Sequence, residues 1–226
     1  MSLETDKKEF RPVQWLLTGF CLLALGTAAL CLVSVSGQPD LVGRALTARE
    51  EAEVIARNSP LTDYIRLSPN GDFPRKDRIR KLTIHHMAGD LSLETVGENF
   101  SQRDRRASSN YAIDSSGRVA LYVEEGNRAW TSSSRENDHQ AVTIEVANDE
   151  TGGSWHVSDQ AFETLITLCT DICRRNGITR LDFTGNPEGN LTLHKMFSGQ
   201  TECPGPYLES RMEEIAALVN ERLGAR

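Results

Sequence analysis

The strongest pattern in the chain is a long run without charge. Residues 15 to 35, WLLTGFCLLALGTAALCLVSV, hold no Asp, Glu, Lys or Arg. A helix that crosses a bilayer takes about 20 apolar residues, so the run predicts a transmembrane segment. No polar stripe of helical period divides it, which argues against a buried core helix. Lys7, Lys8 and Arg11 precede it and only Arg44 follows soon after. That bias places the N-terminus inside and the bulk of the chain outside. The alternative is a cleaved signal peptide, for which Ser34-Val35-Ser36 offers small residues at a cleavage site. The run exceeds the roughly 7–15 residues of a signal core, so a retained anchor is preferred. Neither Cys21 nor Cys31 follows the small residue expected before a lipid-modified cysteine.

From Gly37 the pattern turns polar. TAREEAEVIARN predicts a short juxtamembrane helix ending near Asn58-Ser59-Pro60, and residues 59–80 are Pro- and Gly-punctuated, as in an extended lead-in. The remainder alternates periods. KLTIHHM is a β-branched strand, SLETVGENF a short helix that Ser92 caps, and NYAIDSSGRVALYVEE a hairpin turning at Ser115-Ser116-Gly117. AVTIEVAND is almost continuously apolar, as a central strand covered on both faces should be. Ser158 opens a helix reaching Gly177, with Phe162, Leu165, Cys169 and Ile172 on its inner side. A last helix starts near Pro206 and carries Leu208, Met212, Ile215 and Val219 at helical spacing. The expected fold class is α/β, a central mixed sheet flanked by helices, preceded by one N-terminal transmembrane helix.

Composition narrows the function. The chain has 226 residues, enough for one cored domain after the anchor, and a net charge of -7 that speaks against a nucleic-acid-binding face. Five cysteines fall in three settings: Cys21 and Cys31 in the apolar run, Cys169 and Cys173 one helical turn apart, and Cys203 in a Gly- and Pro-rich loop. The middle pair reads as core, because helical residues at that spacing hold their Cβ atoms too far apart for a disulfide.

Metal chemistry enters through LHKMFSGQTECPGPYL, where His194 and Cys203 stand on two arms of one loop. With an imidazole from IHHM they make three zinc donors with one position open, the form of a catalytic site. His85 and His86 are adjacent on a strand, point to opposite faces, and at most one joins a given site. Taken alone, each donor also fits an ordinary structural role, and the spacing matches no finger or HExxH pattern. Glu145, the only charge inside AVTIEVA, must meet a polar cavity or a partner and is the candidate general base. Trp130 is a candidate flat wall for a sugar or peptide, and Asn110 a candidate donor to a substrate peptide, with packing and turn roles as the alternatives.

These residues together resemble the type-2 N-acetylmuramoyl-L-alanine amidases, the superfamily that includes peptidoglycan-recognition proteins. IHHMAG resembles the family's first ligand strand, SSNYAIDSSGRVALYVEE its hairpin, TIEVAN its central strand, and LHKMFSGQTECPGPYL its ligand loop and final helix. The match runs over roughly residues 58 to 223 and is nearest to bacterial and phage-borne, endolysin-like members. It implies one Zn2+ ion on His85, His194 and Cys203, with Glu145 catalytic and His86 in a supporting role. Two positions depart from the pattern: Ser109 stands where some members carry a catalytic tyrosine, and Thr201 where many carry lysine. Thr201 can donate a hydrogen bond to an oxyanion but brings no full charge.

The expected plan is a cytoplasmic tail over 1–12, a transmembrane signal-anchor over 13–36, a juxtamembrane linker over 37–57 and a zinc amidase domain over 58–226. Its substrate would be peptidoglycan, cut between N-acetylmuramic acid and L-alanine, with a non-catalytic peptidoglycan-binding module as the alternative. The protein is expected as a monomer in the cell membrane with its catalytic domain on the extracytoplasmic side, or secreted if the signal is cleaved.

Overall fold

The computed structural model describes residues 39–224, so the anchor expected over 13–36 lies outside them. Among the described residues no helix is long and apolar enough to cross a membrane. The strands are β1 (Thr62–Ile65), β2 (Gly71–Asp72), β3 (Lys81–His86), β4 (Tyr111–Ile113), β5 (Val119–Leu121), β6 (Arg128–Ala129), β7 (Ala141–Val146) and β8 (Leu191–Leu193). The α-helices are α1 (Ala48–Arg57), α2 (Leu93–Ser101), α3 (Arg135–Gln140), α4 (Asp159–Asn176), α5 (Gly205–Ser210) and α6 (Met212–Leu223). Six strands form one mixed sheet in the order β1-β5-β4-β7-β3-β8, while β2 and β6 pair separately. Only the β4–β5 hairpin is antiparallel within the large sheet.

Side-chain alternation along the parallel strands sorts the two faces. Leu82 and Ile84 of β3, Val142, Ile144 and Val146 of β7, and Leu191 and Leu193 of β8 enter the main core with α4 and α6. The residues between them, Thr83, Thr143 and Thr192, are buried on the other face. There Thr83 and Thr192 share a 2.9 Å hydrogen bond and Asn137 donates to Thr83. Continuing the same alternation places His85 and Glu145 on this polar face. Helix α2 covers its neighbouring part through Leu93, Val96 and Phe100 against Ala112, Ala120 and Tyr122.

Helix α4 follows the sequence pattern closely. Ser158 accepts a hydrogen bond from Ala161 N, Gly177 ends the helix in a left-handed conformation, and Phe162, Leu165, Cys169 and Ile172 are buried. One expectation needs revision: the final helix is two, because the chain breaks at Arg211 between α5 and α6. Residues 39–57 fall in the same compact unit as the rest of the described chain. Helix α1 is closed by a Thr47/Glu50 capping box, and Val54 lies fully buried in the main core.

Candidate metal centre and catalytic groove

Register brings the first two site residues together. In the parallel β3–β7 ladder His85 is directly opposite Glu145, and His85 Nδ1 lies 4.0 Å from Glu145 Oε1. Strand β8 ends beside β3, and the chain then turns through a single 3-10 turn, His194–Met196, which presents His194. The rings of His85 and His194 are 4.8 Å apart between centroids. The loop then returns to the same place: Lys195 N donates to Cys203 O, and His86 N donates to Cys203 Sγ at 3.4 Å. Cys203 Sγ stands 3.5 Å from His85 Nδ1.

The donor atoms of His85, His194 and Cys203 all lie within 4.8 Å of one another. Two nitrogen or sulfur donors on one tetrahedral zinc are about 3.3–3.8 Å apart, which the Cys203–His85 separation matches. Burial holds the His85 imidazole well below its usual pKa, helped by His194 and His86, and burial lowers His194 as well. Both rings are therefore neutral and able to ligate at pH 7. Burial, with Glu145 nearby, pushes the Cys203 thiol up, so a thiolate there calls for a cation beside it. His85 Nε2 is buried without a hydrogen-bond partner among the described residues. The donor set fits zinc.

His86 does not join this cluster. It packs edge-on against Trp155, with ring centroids 5.3 Å apart. Gly205 makes this contact possible: at φ +80°, a Cβ there would come within 3.0 Å of the His86 ring. Glu145 retains 16% side-chain exposure, at the floor of a groove of about 170 Å³. Burial pushes its carboxyl up to about 8, with Arg105 opposing. A carboxylate that holds or releases a proton near neutrality suits general base work.

The other candidates separate. Thr201 lies two residues before Cys203, and its Oγ1 accepts from Cys203 N at 3.1 Å. Trp130 is partly buried, and its Nε1 donates to Asp72. It precedes by three residues Ser133, whose hydroxyl lies 3.2 Å from His194 Nε2. Asn110 takes the strand-start role. It is fully buried, its amide donates to Val123 O, and its carbonyl oxygen accepts from Thr143 N. It locks β4 to β7, and none of its polar atoms faces a cleft. Ser109 is likewise buried, donating to Tyr111 O.

Sequence reasoning passed over the groove wall and its support. Asn70, buried in the segment read as an irregular lead-in, donates to Phe100 O, Gln102 O and Ala107 O and so fixes the loop at the groove rim. Its only sequence signal was a Pro-Asn-Gly turn.

Comparison with known proteins agrees with this geometry. The N-acetylmuramoyl-L-alanine amidase family profile matches residues 75–206, more than half of the chain. Similar solved structures include the PlyG catalytic domain, with TM-score 0.56 and 18% identity over 73% of this chain and 97% of that one. The selenomethionine derivative of AmpD gives 0.53 and 17% over 68% and 93%. A mutant endolysin from Bacillus subtilis gives 0.53 and 15% over 70% and 99%. At these identities the likeness speaks for the fold. No curated protein sequence matches the chain. The family match, the shared fold and the convergence of His85, Glu145, His194 and Cys203 agree: the chain belongs to the type-2 N-acetylmuramoyl-L-alanine amidases, enzymes that act on peptidoglycan.

Proposed function

We propose that the protein hydrolyses the amide between N-acetylmuramic acid and L-alanine with one zinc ion held by His85, His194 and Cys203. The observation that carries this is the cluster of three neutralisable donors beside the buried Glu145. A zinc ion held there would supply Lewis-acid polarisation of the scissile carbonyl and lower the pKa of water. Glu145 takes a proton from the attacking water and returns it to the alanine nitrogen as the bond breaks. Thr201 turns its hydroxyl proton toward the developing oxyanion, a neutral donor where many relatives carry lysine. Trp130, its ring fixed by Asp72, offers a flat wall to the substrate.

Metal analysis tests the ligand set. The purified wild type should carry one zinc per chain, and Cys203→Ser and His194→Ala should lose it while keeping their circular dichroism. Full zinc occupancy in Cys203→Ser would refute the assignment. We also propose that the apolar run over 13–36 tethers a monomeric enzyme to the membrane, with the amidase domain on the extracytoplasmic side. Fractionation should then find the full-length chain with membranes; a shortened, soluble form would mean signal cleavage instead.

A further inference from the structure

We infer that Ser133 is a positioning residue for the metal ligand His194, its hydroxyl accepting from ring Nε2 so that Nδ1 is the atom turned to the ion. The inference rests on the zinc reading of His85, His194 and Cys203. It adds a residue, from a turn outside the ligand strand and the ligand loop, that sets how one of the three donors binds.

The need for such a residue follows from where His194 sits. His85 is buried on a strand, and Cys203 is buried with its sulfur accepting from His86 N. His194 instead stands half-buried on a single 3-10 turn. A half-buried ring on a short turn can rotate about its side-chain bonds and, when neutral, carry its proton on either nitrogen. Among the described residues its imidazole makes one hydrogen bond, 3.2 Å between Nε2 and the Ser133 hydroxyl. A ligating histidine almost always gives its second nitrogen to such a partner, which fixes the ring's orientation and tautomer. With Nε2 engaged by Ser133, the Nδ1 lone pair is the one left for the cluster.

The turn that carries Ser133 is pinned on both sides. The Asp138 carboxylate accepts from Thr131 N, from Ser132 N and from the Ser132 hydroxyl. The Asn137 side-chain amide donates to the Ser132 hydroxyl and to Thr83 on the sheet, while Ser134 caps α3 by accepting from Asn137 N. Between these fixed neighbours Ser133 is exposed, and His194 is its hydroxyl's one partner among the described residues. Ser133 sits at φ 64°, a left-handed conformation uncommon for residues other than glycine. Glycine would adopt it without strain, so the backbone gives no reason for a side chain here and the contact with His194 does. A donor oriented before the metal arrives loses less freedom on binding it.

The test compares Ser133→Gly and Ser133→Asn with the full-length wild type. Glycine removes the hydroxyl and relieves the backbone; asparagine tolerates the same backbone and restores an acceptor oxygen. Competition with a chromogenic chelator should show zinc held about tenfold less tightly by Ser133→Gly, with part of that loss recovered in Ser133→Asn. Metal-free Ser133→Gly should unfold at or above the wild-type temperature, which separates ligand positioning from a folding defect. Nitrogen-15 NMR of the zinc-loaded wild type should show His194 bound through Nδ1 and protonated at Nε2. Zinc bound through Nε2, or an affinity unchanged or raised in Ser133→Gly, would overturn the inference and leave the zinc site standing. A wild type that takes up no zinc would overturn the ligand reading and the inference together.

Discussion

At the scale of single residues the account turns on Glu145. It is held opposite His85 by strand register, and burial drives its carboxyl up to about 8. Glu145→Gln should lower kcat roughly 10²- to 10⁴-fold with zinc still bound, as steady-state assays with metal analysis will show. The same residue makes a stability prediction for the metal-free protein. Its folded pKa is raised above the unfolded carboxylate value, so the native state binds the extra proton between about pH 4.5 and 8. Stability should therefore fall as pH rises through that window, by up to about 1.4 kcal/mol per unit. Urea unfolding of the chelated wild type at pH 5 and 8 should show the fall, and Glu145→Gln should flatten it. An equal slope in both proteins would contradict the burial argument. Glu145 was legible in the sequence because a lone charge inside an apolar strand demands a cavity or a partner. Asn110 was left between a substrate contact and a strand-start role, because a polar residue there carries no sign of which way its amide turns. In the structure it spends its hydrogen bonds on Val123 and Thr143.

At the scale of elements, caps and periods were readable where they are local. Helix α4 was visible from Ser158 to Gly177, and its cap does more than start the helix. Ser158 accepts from Ala161 N and also donates to Ser115 O in the hairpin turn. Ser158→Ala should cost about 1–2 kcal/mol in chemical denaturation, and Ser158→Asp, which keeps an acceptor, should cost less. The short strands β1, β2, β6 and β8 were not legible, because two to four residues carry too little period to separate strand from loop. Their existence is decided by partners far away, such as β5 for β1 and β3 for β8. Helix α1 was seen as a helix but placed in a linker. Its Val54 stripe gives no hint, from sequence alone, of which surface it covers.

At the scale of the whole molecule, a buried polar network ties the helices to the sheet. Glu125 accepts from the hydroxyl of Tyr111, takes a two-pronged ion pair from Arg175 and accepts from Asn176, while its backbone N–H donates to Asn58. The network joins the end of α1, the start of β4 and the end of α4. Glu125→Ala leaves the Arg175 guanidinium and the Tyr111 hydroxyl without this partner and should destabilise by about 3–5 kcal/mol. Zinc stoichiometry in the surviving folded fraction should be unchanged, which calorimetric unfolding with metal analysis will check. The site as a whole was legible as a set of donors, because His85, His194 and Cys203 are rare residue types in telling contexts. Their meeting depends on β8 lying beside β3, a long-range pairing that only the fold supplies.

The central claim is tested most directly by digesting purified sacculi with the full-length protein, metal-loaded and chelated, and measuring the ends released. The loaded protein should produce new alanine amino termini without new reducing ends, and chelation should abolish them until zinc is restored. Sacculi that are bound equally with and without metal, yet yield no new alanine termini, would contradict the account and mark the chain as a binding module.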